Sequence, residues 1–145
     1  MSEFLNIVCP DCESVNRVDS ERLIDVPRCG KCKEVLFAGR PVELNGSNFR
    51  KHLQRTGIPF LVDFWAPWCA PCRAMAPVFE QAARKLEPRV RLARLNTEGE
   101  QRIATDLGIQ DIPTLVLFVD GQEVARHSGT MDLDGILDWV RSRIY

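Results

Sequence analysis

Phe60-Leu61-Val62-Asp63-Phe64-Trp65, followed by Ala66-Pro67-Trp68-Cys69-Ala70-Pro71-Cys72, decides the reading of this chain. The first six residues make a short apolar run broken only by Asp63, the pattern of a buried strand. Cys69 and Cys72 then stand where Pro71 and the periodic positions Met75, Phe79, Ala82 or Ala83 and Leu86 open a helix. A cysteine at a helix start faces backbone N–H groups that lack partners, at the positive end of the helix dipole, and both favour a thiolate. Cys72 lies one turn inward. The pair reads as a redox dithiol with Cys69 as nucleophile and Cys72 as resolving thiol. The competing reading is half of a second metal site, but four further cysteines complete one without it.

Outward from this stretch, the chain alternates helices and strands. Ser47 is expected to cap a helix running to about Arg55 and closed by Gly57, while Pro77 predicts a kink in the helix after the dithiol and Pro88 its end. Val90 to Leu95 alternates apolar and basic residues, which predicts a strand with a solvated face. Gln101 to Leu107 suits a short helix stopped by Gly108. Thr114–Val119 and Glu123–His127 flank Asp120-Gly121, a tight-turn signal, and a last helix runs from about Leu133 to Arg143. The expected order is α-β-α-β-α-β-β-α. Crossover helices imply parallel pairs and the hairpin one antiparallel pair, so the fold class is α/β, with a mixed central sheet covered by helices on both faces.

The pattern differs before about Ala38-Gly39-Arg40-Pro41, where the boundary between two domains, residues 1–38 and 39–145, is expected. The first segment has too few apolar residues for its own core and needs a metal or a staple. Cys9-Pro10-Asp11-Cys12 and Cys29-Gly30-Lys31-Cys32 are two knuckles 16 residues apart, the spacing of a tetrahedral zinc ribbon. Four thiolates leave no open position, so a site built from Cys9, Cys12, Cys29 and Cys32 is expected to be structural. Gly30 is expected to permit a left-handed turn that aims backbone N–H groups at a sulfur. Two disulfides or an iron site are the alternatives.

The 145-residue chain is 45% hydrophobic and 27% charged, as a soluble globular protein should be. Its 19 basic and 20 acidic residues leave a charge of −1, so nothing drives it toward nucleic acid or an anionic membrane. The cluster Arg84, Lys85, Arg89, Arg91 and Arg94 is broken by Glu80 and Glu87 and reads as a solvated face. His52 and His127 fit no ligand pattern. No apolar run approaches the roughly 20 residues that span a bilayer, and the acidic opening Met1-Ser2-Glu3 does not read as a secretory signal. A cytoplasmic, monomeric protein is expected.

Val62-Asp63-Phe64-Trp65-Ala66-Pro67-Trp68-Cys69-Ala70-Pro71-Cys72, with Gly108-Ile109-Gln110-Asp111-Ile112-Pro113-Thr114, Asp120-Gly121 and Gly129, closely resembles the thioredoxin family over roughly residues 40 to 145. The four N-terminal cysteines make the whole chain similar to its zinc-containing form, thioredoxin 2. The resemblance implies protein-disulfide reduction through a reversible Cys69–Cys72 disulfide, without a bound organic cofactor. It implies re-reduction by thioredoxin reductase with NADPH, and disulfide-containing proteins as substrates. Asp63 matches the family's buried carboxylate, which moves protons to and from Cys72, a role that a desolvated and therefore raised carboxyl suits. Pro113 matches a cis-proline facing the dithiol, and the substrate groove would comprise Trp68, Pro71, Ile112, Pro113 and Gly129. An exposed Trp there has a purpose that packing would not explain.

Two positions depart from the family pattern. Ala70 stands where Gly is commonest, which predicts a modestly altered potential. Arg94 replaces the usual Lys, so it can lend fixed charge near Asp63 but no proton. Two rival functions remain: an interaction module whose dithiol only senses redox state, and a disulfide oxidase or isomerase. The oxidase is disfavoured by Pro71, since oxidising relatives more often carry His there.

Overall fold

The computed structural model describes residues 3–144; Met1 and Ser2, where the reading of the N-terminus began, and Tyr145 lie outside them. Strand β1 (Phe4–Val8) pairs antiparallel with β2 (Val15–Asp19), from Phe4 opposite Asp19 to Val8 opposite Val15. Asp19 accepts a hydrogen bond from the Glu21 N–H and caps a 3-10 helix, Ser20–Asp25. The two cysteine knuckles repeat one design, in which Glu13 N–H donates to the Cys9 carbonyl and Lys33 N–H to that of Cys29. Glu13 and Lys33, and not Gly30, take the left-handed conformation (φ 65° and 70°). The turn therefore falls one residue after each second cysteine, which corrects the expectation for Gly30.

The main sheet has the order β3-β5-β4-β6-β7: β3 (Val42–Leu44), β4 (Phe60–Trp65), β5 (Arg91–Asn96), β6 (Thr114–Val119) and β7 (Gln122–Ser128). β3–β5 and β4–β5 are parallel, β4–β6 and β6–β7 antiparallel, the mixed sheet expected. The helices are α1 (Phe49–Arg55), α2 (Ala70–Leu86), α3 (Gln101–Asp106) and α4 (Leu133–Ile144). Leu61, Leu92, Leu115 and Leu117 pack against Met75 and Phe79 of α2 and Ile136 and Val140 of α4. Val62, Phe64, Leu95 and Val116 pack on the other face against Phe49 of α1 and Ile103 of α3. Both faces are covered because consecutive residues of β4 and β6 are apolar. Asp120 and Gly121 take positive φ (53° and 79°), the mirror-image turn that joins twisted hairpin strands.

Three expectations are corrected. The short edge strand Val42–Leu44 went unread, because three residues carry too little periodicity. Ser47 does not cap α1: its hydroxyl donates to Asn45 Oδ1, which also accepts the N–H groups of Ser47 and Asn48. β5 has no solvated face. Arg91 and Arg94, an odd number of residues apart, point to opposite faces of a strand inside the sheet, Arg91 with Ala93 and Leu95 to the α1 side and Arg94 with Leu92 to the α2 side. Arg91 is therefore buried and Arg94 nearly so, whereas Arg84, Lys85 and Arg89 are exposed. α2 continues through Pro77 as one helix. Among the described residues no helix is long and apolar enough to cross a membrane.

The cysteine-bearing segment docks on the sheet end where β4 and β5 begin. Ile58 joins Ile7, Cys9, Cys29 and Leu36 in one small core, and the Gly57 N–H donates to the Asn6 carbonyl at 2.7 Å. Cys69 follows the opposite end of β4.

Candidate active site and cysteine cluster

β4 ends at Trp65, and the chain turns through buried Ala66 and exposed Pro67 and Trp68 to reach α2. Arg73 Nη1 donates to the Pro67 carbonyl at 2.7 Å and ties this turn to the helix. Cys69 is the N-cap of α2, in extended conformation, and its Sγ accepts the Cys72 N–H at 3.2 Å. Pro71 sits in the first turn, where its missing N–H leaves no gap. Cys69 and Cys72 are disulfide-bonded. Cys72 is wholly buried while Cys69 keeps 5% of its surface, so an incoming sulfur can reach only Cys69.

The loop before β6 closes over this pair. The Ile112–Pro113 peptide is cis, as the resemblance implied, and the Ile112 carbonyl oxygen lies 3.9 Å from Cys69 Sγ. The Gly129 N–H donates to the Pro113 carbonyl at 2.8 Å, bringing the β7–α4 loop alongside. Ile112 also packs against Ala66, Cys69 and Cys72. Trp68 is 67% exposed beside them. Residues from three separate stretches of sequence thus meet around Cys69, with the Trp68 ring exposed beside the Ile112–Pro113 backbone.

Asp63 is fully buried, and neither carboxyl oxygen has a hydrogen-bond partner. Burial pushes its carboxyl up to about 7, a rise that Arg94 opposes, with its Nε 3.6 Å from Asp63 Oδ2. A carboxyl so placed changes protonation near neutral pH. The Arg94 guanidinium lies over the Trp65 ring at 4.2 Å and reaches Glu43 Oε1 at 3.8 Å. Sequence reading found Asp63 and Arg94 but missed Glu43, whose only signal is a cross-strand register not visible along the chain. His52 is buried and stacked on Phe60, a packing residue, and neither it nor His127 joins the cysteine cluster.

At the other end of the molecule, the sulfurs of Cys9, Cys12, Cys29 and Cys32 lie within 4.8 Å of one another, Cys9–Cys32 at 3.6 Å and Cys12–Cys29 at 3.5 Å. A tetrahedral zinc with Zn–S bonds of about 2.3 Å needs sulfurs about 3.8 Å apart, so the set fits. Backbone N–H groups of Asp11 and Cys12 point at Cys9 Sγ, and that of Lys31 at Cys29 Sγ. Asn16 braces the second knuckle by donating to Cys29 Sγ and accepting the Gly30 N–H. These donors stabilise thiolate charge.

The chain matches the family described as Thioredoxin over residues 40–142 and that described as Thioredoxin 2, N-terminal, over residues 8–34. It is 39% identical over 138 residues to Thioredoxin C-3 of Corynebacterium nephridii, covering 95% of this chain and 94% of that protein. It is 44% identical over 78 residues to Thioredoxin 1 of Synechococcus elongatus, covering 54% and 73%. Among solved structures, a mutant thioredoxin of Halobacterium salinarum superposes with a TM-score of 0.66 at 30% identity, covering 74% of this chain and 93% of that one. With both segments matched and the dithiol in place at a helix start, the chain belongs to the thioredoxin family of protein-disulfide oxidoreductases.

Proposed function

We propose that the chain is a general protein-disulfide reductase, carried by residues 39–145, in which Cys69 attacks, Cys72 resolves and Asp63 exchanges the proton. The reading is carried by one observation: the two sulfurs are joined at the start of α2, and only Cys69 reaches the surface. In the reduced protein the Cys69 thiolate attacks one sulfur of a substrate disulfide, forming a mixed disulfide and releasing the other sulfur as a thiolate. Cys72 then passes its proton to the Asp63 carboxylate and attacks the Cys69 sulfur. The Cys69–Cys72 disulfide forms, the substrate leaves with both sulfurs reduced, and two electrons have moved from protein to substrate.

Trp68, Pro71, Ile112, Pro113 and Gly129 form the groove, with the Ile112 backbone and the Trp68 ring able to hold an extended substrate segment. NADPH-dependent thioredoxin reductase restores the dithiol. The protein works as a monomer in the cytoplasm, without nucleic-acid or membrane partners. Residues 1–38 form a ribbon whose cysteines would hold one zinc ion, a structural centre because all four positions are filled. Insulin reduction coupled to NADPH and thioredoxin reductase is the test. The parent turns over, Cys69→Ser does not, and Cys72→Ser accumulates a covalent adduct with insulin. Absence of turnover by the parent refutes the reading.

A further inference from the structure

Glu43 of β3 stands opposite Arg94 of β5, and Arg94 stands opposite Asp63 of β4, so three charged residues occupy one row across the sheet. They share a face. Asp63 alternates with Phe64, and Glu43 lies between Val42 and Leu44, all packed on the α1 side, which leaves the row on the α2 side. One guanidinium therefore serves two carboxylates, at 3.6 Å from Asp63 and 3.8 Å from Glu43, with the Trp65 ring beneath it. The two carboxylates live in different worlds. Asp63 has no exposed side-chain surface, whereas that of Glu43 is 68% exposed.

Building on the proton role proposed above for Asp63, we infer that Glu43 is a positioning residue for the dithiol reaction: by holding the outer end of Arg94, it limits the guanidinium's commitment to Asp63 and sets how readily that carboxyl takes a proton from Cys72. The physical reason is competition. A guanidinium paired with Asp63 alone would hold it ionised and make it a poor proton acceptor, because a nearby cation lowers a carboxyl's proton affinity. A second carboxylate on the same cation weakens that hold. The directions agree, since Arg94 lowers and Glu43 raises the proton affinity of Asp63. The other charges around Glu43 are Glu80 of α2, whose repulsion acts on it, and Asp11, Arg40 and Arg91, which line the cavity it borders. Arg91 is already engaged by Glu87. Facing Asp63 across the sheet on the β6 side is Leu115, which carries no charge.

The test reads the Asp63 carboxyl by carbon-13 NMR titration of the reduced protein, alongside the pH profile of insulin reduction, in Glu43→Gln, Arg94→Gln, the double variant and Asp63→Asn. Glu43→Gln lowers the Asp63 midpoint and the acid limb of the profile by about half a pH unit, a roughly threefold change in its ionised-to-neutral ratio. In the Arg94→Gln background the same substitution moves them less than half as far. An unmoved midpoint in Glu43→Gln, or equal movement in both backgrounds, overturns the inference. Asp63→Asn separates the two claims. If it keeps the parent's acid limb, the proton role of Asp63 itself falls and this inference falls with it; if it loses the limb while Glu43→Gln changes nothing, only the role of Glu43 falls.

Discussion

Asp63 shows what a single residue contributes to both stability and chemistry. Its folded carboxyl titrates at about 7, against an ordinary value of 3.8, because burial disfavours the charge. Folding therefore favours the protonated form. The contribution is fully present below the ordinary carboxylate range and is lost as pH rises toward 7, since the unfolded chain gives up that proton earlier. Asp63→Asn should leave stability near pH 4 almost unchanged and raise it at pH 8 by a few kcal/mol, read by denaturant unfolding of the oxidised protein at both pH values. Equal stability at pH 8 would mean that the buried carboxylate is not strained. The apolar run around Asp63 announced this desolvation. Arg91 is the opposite case: it shares its face with apolar Ala93 and Leu95 and not with Arg94, and nothing along the chain told that this face is covered.

At the scale of elements, the turn from α2 to β5 holds a second buried ion pair. Glu87 caps the end of α2 and Arg91 opens β5, their side chains are both 2% exposed, and Nη1 lies 3.1 Å from Oε2. Burial raises the Glu87 carboxyl and lowers Arg91, and each charge is kept by the other. Arg91 also donates to the Leu36 carbonyl at 2.7 Å and lies over the Phe37 ring, while Glu87 accepts the Gly39 N–H. The pair thus clamps the stretch between the cysteine cluster and β3 to the helix–strand turn. Glu87→Ala should cost about 3–5 kcal/mol, because it strands a buried guanidinium, and adding Arg91→Leu should recover part of the loss. Denaturant unfolding of both variants decides; a loss below about 1 kcal/mol would place the pair with exposed salt bridges. Neither residue signalled this in sequence, where both read as members of a charged surface.

For the molecule as a whole, the two cysteine sets lie at opposite ends of the sheet, the cluster against the starts of β4 and β5 and the dithiol beyond the end of β4. The cluster's own core is small, with Ile7, Leu36 and the borrowed Ile58 completing it. Removing metal with a chelator should raise amide exchange across residues 4–36 while insulin reduction stays within about a factor of two, because well-separated sites act independently. A collapse of activity on chelation would show that the ribbon supports the groove. Sequence by itself determined what short chain distances control: two cysteine spacings, a buried strand leading into a helix, the Asp120-Gly121 turn and a proline in a first helical turn. Tertiary structure alone decided that Val42–Leu44 joins the sheet, that Arg91 is buried, and that Glu43, Arg94 and Asp63 share one row. The division has a physical reason. Local backbone geometry follows from neighbours along the chain, whereas burial and cross-strand register depend on distant segments that meet only when the sheet has formed.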